Sequence, residues 1–585
     1  MIKEAIYHKP VNQYAYSYDK NHLHIMLQAK RADLESVQLI FGDPYDFNGS
    51  QWNYHLKSMK KSGSSQSLDY WKIEIEPAFR RMRYGFLCQD KNGGVSYFTE
   101  KGHTDELPEQ IGAYFCFPYL HEVDIFTAPS WVKDTIWYQI FPERFANGNP
   151  TWNPTGTLSW GEHKPTPDNF FGGDLQGVID HLDYLVELGI TGIYFCPIFK
   201  ASSNHKYDTI DYFELDPQFG DKQTLRKLVR DCHKRGIRVM LDAVFNHSGF
   251  EFTPFQDVLK HGQKSKYKDW FHIWDFPIQT SPHPNYDAFG FVASMPKLNT
   301  TNPEVKDYLL RVGRYWIEEF DIDGWRLDVA NEIDHTFWRA FRNEMKSIKP
   351  DLYILGEIWH DSMKWLQGDQ FDAVMNYPLR ESIIDFFAAG AIRADQFDDR
   401  LTDLLHMYPD NVQKVLFNLL DSHDTDRVLT LANGNKDRVK LMYVFLLSFI
   451  GTPCLYYGDE IGMAGGGDPE CRACMEWDRE KQDLELFTFV QNLIRIRKEE
   501  PAFGSDAAFK MIQADAEKNL LVYEKKNSKA HLVFIINNND FEQKLNIVEM
   551  AGKQTRALFN EPAVNLHEDG TIKLPPYGFQ CYQLL

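Results

Sequence analysis

Cysteine, long apolar runs and positive charge are all scarce in this 585-residue chain. Eight cysteines over such a length are no disulfide framework of the kind that staples small secreted domains. Most sit in apolar runs (Cys116, Cys196, Cys454) as small buried hydrophobes. The single CxxC, Cys471-Arg472-Ala473-Cys474, has no second pair or neighbouring histidine, so a plain loop is favoured over a metal or redox site. No window reaches the roughly 18 uninterrupted apolar residues of a membrane-crossing helix. The opening Met1-Ile2-Lys3-Glu4-Ala5-Ile6-Tyr7-His8 carries no apolar signal core, so the expectation is a cytoplasmic protein with no membrane partner. The 63 basic against 83 acidic side chains leave a net charge of −20, which argues against nucleic acid and anionic membranes as partners. Internal repeats and low-complexity segments are also missing.

What is plentiful is aromatic: 15% of the residues are Phe, Trp or Tyr. Such a surplus suits a large core, and it equally suits sugar binding, because the apolar face of a pyranose packs on an aromatic ring. The length predicts three or four domains at about 150 residues each. Residues 1–125 alternate in short runs (22–28, 36–41, 70–75, 84–89, 95–99) separated by turn clusters such as Ser62-Gly63-Ser64-Ser65, the pattern of a β-sandwich. Such a domain could bind polysaccharide, hold a partner subunit or cover a catalytic domain.

From about residue 126 strand-like runs alternate with helical ones. The strands are 135–141, 190–197, 237–245, 322–329, 352–358, 371–376, 415–420 and 453–457; helices between them include 174–187, 222–235, 303–319 and 334–348. Eight strand–helix units imply a closed (β/α)₈ TIM barrel. The span exceeds the roughly 250 residues typical of that fold, and the excess falls at 247–301, a Pro-rich, aromatic stretch without helix–strand rhythm. The predicted organisation is therefore an N-terminal β-sandwich at 1–125, a barrel at 126–246 and 302–500, an inserted domain at 247–301 and a C-terminal β-sandwich at 501–585.

Barrel sites lie at the C-terminal ends of the strands, and there the polar residues collect. The third strand runs into Asp242-Ala243-Val244-Phe245-Asn246-His247, the fourth into Arg326-Leu327-Asp328, the fifth into Gly356-Glu357-Ile358-Trp359-His360, and the seventh into Asp421-Ser422-His423-Asp424. Arg326 and Asp328 share a strand face, so the guanidinium should favour the ionised acid; taken alone, a structural ion pair explains them equally well. Glycoside cleavage needs one carboxylate as nucleophile and one carboxylic acid as proton donor. Neighbouring strands about 4.8 Å apart suit the roughly 5–5.5 Å carboxyl spacing of retaining enzymes. Asp328 is thus the expected nucleophile and Glu357 the acid, with the apolar run before Glu357 and Trp359 beside it favouring its protonated form. Asp424 would hold substrate hydroxyls, and His247 and His423 would donate to the sugar at the cleavage point.

The segments 242–247, 324–328, 356–357 and 422–424 resemble the four short motifs of the α-amylase family of glycoside hydrolases. The N-terminal sandwich, Met295-Pro296-Lys297-Leu298 and Val329-Ala330-Asn331-Glu332 resemble its cyclomaltodextrinase, neopullulanase and maltogenic amylase branch. That resemblance implies hydrolysis of cyclodextrins, maltooligosaccharides and pullulan at α-1,4 and some α-1,6 bonds, with transglycosylation. It implies that Tyr207 stacks beneath the sugar (a loop-anchoring aromatic is the plainer reading). It makes Asp468 and Arg472 a donor-side clamp, and Trp359 and Glu332 acceptor-side positions. Phe289 and Phe291 line the cleft or pack within the insertion. The resemblance further implies a calcium site at Asn147, Asn149, Asn153, Gly172 and Asp174, where only Asp174 is a carboxylate; a metal-free turn is the alternative. Finally, it implies a homodimer in which the N-terminal domain covers the partner's cleft, with Tyr45 reaching across; starch binding is that domain's competing role. The remaining alternatives are an oligo-1,6-glucosidase or other barrel glycosidase, and a catalytically inactive glucan-binding protein.

Overall fold

The computed structural model describes residues 1–559 and 566–585. The chain forms two compact units. The first comprises Met1–Thr127 with two later pieces, Met363–Gly368 and Ala394–Gln413. Its antiparallel sheets carry an apolar face of alternating residues, among them Leu23, Ile25 and Leu27 against Trp71, Ile73 and Ile75. All five strands expected in this region are present. The strand Lys60–Ser64, which pairs with Leu68–Ile75, is polar and largely exposed and carries no apolar alternation to reveal it.

The second unit is built on an eight-stranded parallel sheet: β1 (Trp137–Ile140), β2 (Gly192–Phe195), β3 (Arg238–Ala243), β4 (Gly324–Leu327), β5 (Tyr353–Gly356), β6 (Ala373–Val374), β7 (Phe417–Asn418) and β8 (Thr452–Tyr456). Each strand pairs with its successor from β1 to β6, β8 joins β1 to β7, and a Met375–Phe417 bridge closes β6 on β7. The result is the expected (β/α)₈ barrel. The closing seam is thin: beyond that bridge it has the Asn376 N–H bond to Phe417 O (2.8 Å) and an Asn376–Asn418 side-chain bond (2.9 Å). The N-terminal end of the barrel is plugged by Trp137, Tyr353 and Phe417, their rings 5.9 Å apart in the Trp137–Tyr353 and Trp137–Phe417 pairs. Gly192 faces Trp137, and a Cβ there would meet its ring at 2.6 Å. Burying such rings contributes about 1.5–3 kcal/mol each.

The helices start where capping residues satisfy their free N–H groups: Asp221 caps Lys222–Lys234, Asn302 caps Pro303–Phe320 and Asp334 caps His335–Ile348. Two expectations are corrected. The helix at 174–187 is two, Leu175–Asp180 and Leu182–Leu188, because His181 leaves helical geometry and stacks on Trp477 at 3.7 Å. The insertion contains a helix, Thr253–His261, whose Phe255 and Val258 are buried; two and a half turns are too few for its period to stand out. A C-terminal five-stranded antiparallel sheet and a two-stranded companion complete the unit.

Candidate active site

Register explains how the site assembles. Asp242 pairs with Arg326 across β3 and β4, and Leu327 with Gly356 across β4 and β5. The ladder continues one step further, with Asp328 N–H to Ala243 O at 3.1 Å and Glu357 N–H to Leu327 O at 2.9 Å. The two acids are therefore set by backbone pairing. Gly356 must be small, since a Cβ there would meet Phe371 at 2.6 Å.

Arg326 is fully buried and organises three carboxyls. Its Nη1 lies 3.0 Å from Asp242 Oδ2 and 2.9 Å from Asp328 Oδ1, while Nη2 reaches Glu357 Oε1 at 2.8 Å. Glu357 also accepts from Val329 N–H (3.0 Å, Oε2) and Trp359 Nε1–H (3.3 Å, Oε1). That N–H is presented by a left-handed Val329 (φ +45°), an uncommon conformation for a β-branched residue. Asp328 Oδ2 is buried and has no partner.

The charges differ from the expectation. Burial and the charge of Glu357 push the Asp328 carboxyl well up, with Arg326 opposing, so the guanidinium beside it does not by itself keep this acid ionised. The surroundings of Glu357 are not apolar either, since two N–H donors bond it and the Arg326 guanidinium lies beside it. The two acids share Arg326.

A second group lies across the cavity. Tyr207 O–H donates to Asp242 Oδ2 (2.9 Å), as does Tyr194 O–H (2.8 Å). The Tyr207 oxygen lies 2.7 Å from His423 Nε2, and the Tyr207 and His423 rings are nearly parallel, with centroids 5.3 Å apart. Asp424 lies 3.2 Å from His423 Nε2. Arg472 spans Asp424 (3.3 Å) and Asp468 (3.0 Å) and bonds the His423 carbonyl (2.8 Å). Burial holds His247 down at about 3, so its ring is neutral; its Nδ1 faces Asn246 Nδ2 at 3.3 Å and its Nε2 has no partner.

The structure brings Asp328, Glu357, Asp424, His247, His423, Tyr207, Trp359, Asp468 and Arg472 to the wall of one cavity of about 460 Å³, with Phe289 and Met295 as apolar lining. Arg326 lies behind that wall. Trp359 is 43% exposed and stacks on Tyr377 at 3.6 Å. Glu332 is not in the wall; it pairs with Lys297 at 3.0 Å. Phe291 is 86% exposed and lies outside the lining. Tyr45 belongs to the first unit, where it is exposed and its ring lies over Arg81 at 4.6 Å. The residues that sequence reasoning missed are Gln139, whose Nε2 lies 2.7 Å from His423 Nδ1, together with Tyr194 and the tether role of Lys297. Gln139 and Tyr194 sit inside apolar strand runs, and only their direct pairing across β1 and β2 marks them.

The loop at 147–174 gathers several oxygens that a cation could use. Asn147 Oδ1 is buried without a donor. Its Nδ2 serves Asn153 Oδ1 (3.1 Å) and Phe171 O (3.3 Å), oxygens that a cation would also attract. Gly172 is left-handed (φ +83°), and a Cβ there would meet Asn153 Oδ1 at 2.4 Å. The oxygens of Asp174 already accept from the N–H groups of Gly148, Asn149 and Gly177. The set fits an oxygen-bound cation carrying few ligand charges, hence a weak one. No cluster of three or more His, Cys, Asp or Glu side chains suited to a metal occurs among the described residues.

Comparison with known proteins agrees with this geometry. The family model described as "Alpha amylase, catalytic domain" matches residues 139–506, and "Alpha amylase, N-terminal ig-like domain" matches residues 1–121. The cyclomaltodextrinase of Geobacillus thermopakistaniensis (strain MAS1) is 57% identical over 586 residues, covering 100% of this chain and 99% of that protein. The maltogenic α-amylase of Bacillus acidopullulyticus is 54% identical over 587 residues, 100% of both. A solved cyclomaltodextrinase structure superposes with a TM-score of 0.95 at 47% identity over 100% of each chain.

Proposed function

Since the chain belongs to the α-amylase family of glycoside hydrolases, we propose that it cleaves α-1,4 and some α-1,6 bonds of cyclodextrins, maltooligosaccharides and pullulan by double displacement, with transfer to sugar acceptors as a second outlet. The observation that carries this reading is the Arg326 fork. One guanidinium touches both acids, and each acid follows a directly paired residue on adjacent strands about 4.8 Å apart, which supports the roughly 5–5.5 Å spacing of retaining enzymes over the roughly 6.5–9.5 Å of inverting ones.

In the first step Asp328 Oδ2, the oxygen without a partner, attacks the anomeric carbon. Glu357 protonates the departing glycosidic oxygen, the C–O bond breaks and a glycosyl–Asp328 ester forms. In the second step Glu357 takes a proton from water or from an acceptor hydroxyl, whose oxygen attacks the same carbon and frees Asp328. This division of labour requires the proton on Glu357 and the charge on Asp328 when the sugar is bound. Asp424 and the Nε2–H groups of His247 and His423 hold the hydroxyls of the reacting sugar, and Tyr207 stacks beneath it. Asp468 and Arg472 act on the donor side, Trp359 and Glu332 on the acceptor side. A cavity of about 460 Å³ supports short or cyclic chains as preferred substrates.

A calcium ion belongs to the proposal as a structural element outside the reaction, held by oxygens of Asn147, Asn149, Asn153, Gly172 and Asp174. Exposed Tyr45 supports a homodimer formed through the N-terminal domain; unchanged sedimentation after removal of residues 1–125 would reject it. Eight free cysteines support a reducing, cytoplasmic location, which fractionation of the source cells tests.

Turnover of β-cyclodextrin, pullulan and starch is the deciding experiment, with product anomers read by NMR. Faster turnover of β-cyclodextrin and an α-anomer as first product are expected. Starch cleaved equally well overturns the small-substrate reading, a first β-anomer excludes the ester, and no cleavage of any glucan leaves a binding protein.

A further inference from the structure

His423 has two ring nitrogens and, being neutral in its buried place, one proton to distribute between them. Its surroundings decide where that proton sits. Asp242 is acceptor-only when ionised and collects Arg326 together with the Tyr194 and Tyr207 hydroxyls. Tyr207 therefore spends its single proton on Asp242 and presents only lone pairs to His423 Nε2, 2.7 Å away. Asp424 Oδ2, 3.2 Å from the same nitrogen, is a second acceptor. Nε2 must carry the proton, and Nδ1 is left as a bare acceptor. The group facing Nδ1 is the Gln139 side-chain amide, Nε2 to Nδ1 at 2.7 Å, which also reaches Cys196 Sγ at 3.4 Å. Gln139 is 1% exposed and is pinned in β1 by pairing with Tyr194 on one side and Tyr456 on the other.

We propose that Gln139 is a positioning residue: its NH₂ group holds His423 in the Nε2–H tautomer, so that the ring donates towards Tyr207 and Asp424 and fixes both in the wall of the cavity where the sugar is cleaved. The proposal rests on the hydrolase reading for its catalytic consequence, while the tautomer itself stands on hydrogen-bond geometry. The amide acts twice. It occupies the Nδ1 lone pair, which excludes the opposite tautomer, and it opposes a second proton there, because Nδ1–H would face N–H. The charged groups around the ring are mixed: Arg472 and Arg326 oppose an imidazolium, Glu357 and Asp424 favour one, and His205 is a further titratable neighbour. Burial outweighs them all and keeps the ring neutral, and the amide holds from the Nδ1 side the tautomer that Tyr207 and Asp424 favour from the Nε2 side.

Two measurements test this. Protein carrying ¹⁵N-histidine, with His423→Gln for assignment, is followed by NMR between about pH 7 and 8, above the value of about 6 to which burial lifts Asp242. A protonated Nε2 and bare Nδ1 throughout are expected; a proton on Nδ1 in the wild-type protein overturns the proposal whatever the enzyme cleaves. Gln139→Glu then exchanges the donor for an acceptor of equal size. Nδ1 gains a proton, and the ring is an imidazolium at lower pH. It becomes the Nδ1–H tautomer, with no Nε2 donor, as pH rises through its new pKa. The expected result is kcat/KM lowered on the order of 10–100-fold, with a new descending alkaline limb. Gln139→Met, which can neither donate nor accept strongly, lowers activity less and adds no such limb. Wild-type kcat/KM and pH profiles in both variants would overturn the proposal. Should Gln139→Glu fail to fold by thermal melting, the wild-type NMR measurement decides alone.

Discussion

Replacing Arg326 tests the electrostatic core of the site more sharply than removing either acid. The guanidinium is fully buried and touches Asp242, Asp328 and Glu357 at 2.8–3.0 Å. Arg326→Met keeps the volume of the chain but leaves three carboxyls with no cation among them. Removing one partner of a buried ion pair costs about 3–5 kcal/mol, and here the acids escape most of that cost by taking up protons. The nucleophile must then ionise before each turnover, so kcat/KM near neutrality should fall by about 10²–10⁴-fold at 1.36 kcal/mol per decade. The sign is fixed: Asp328 already lies high through burial and Glu357, and loss of Arg326 raises it further. The acid limb of kcat/KM therefore moves to higher pH, and activity recovers as pH rises. Arg326→Lys keeps the charge, but one Nζ cannot reach both Asp328 and Glu357. Loss of one charge-assisted bond, about 1.5–3 kcal/mol, predicts a defect of about 10–150-fold with a smaller shift of the limb. The assay is β-cyclodextrin hydrolysis from about pH 5 to 9, with melting curves to confirm folding. An Arg326→Met enzyme within tenfold of wild type, or one whose acid limb stays in place, would refute the reasoning.

Glu357→Gln keeps shape and removes the transferable proton, so turnover should drop about 10²–10⁴-fold; near-normal rates would reject the acid assignment. At the opposite end of the barrel Asp323 is held at about 2, since His233, Lys349 and the Val239 N–H outweigh its burial. A depressed carboxyl stabilises above its unfolded value and loses that stabilisation as pH falls toward 2. Asp323→Asn should therefore cost about 2 kcal/mol near neutrality, with the gap to wild type closing in acid; a pH-independent gap in urea denaturation counts against this. Calcium added to chelator-treated protein should raise Tm, and Asn147→Ala should abolish the rise; identical melting with and without calcium removes the ion from the reading.

The convergence of Asp328, Glu357 and His423 on one cavity was legible in the chain because a barrel gathers strand ends, so they announce themselves by where their strands stop. What stayed hidden depends on partners remote in sequence. Nothing near Glu357 tells that the second nitrogen of Arg326 lies beside it, so a local reading found an apolar setting where a cation and two N–H donors meet. Gln139 looks like a stray polar residue in an apolar strand until β7 brings His423 against it. Glu332 fell beside the expected site, yet the ammonium of Lys297 holds it, a pairing between an insertion and a strand-end loop that no local pattern encodes.

The thin join between β6 and β7 bears on how the wall of the cavity is supported. Asp328 and Glu357 are anchored on β4 and β5, stitched on both sides. Trp359 instead leans on Tyr377, which opens the helix straight after the seam. The two acids thus stand on firm masonry while the aromatic pair next to them rests beside the barrel's weakest join, so a change in that pair can be taken up at the join with the acids left in line.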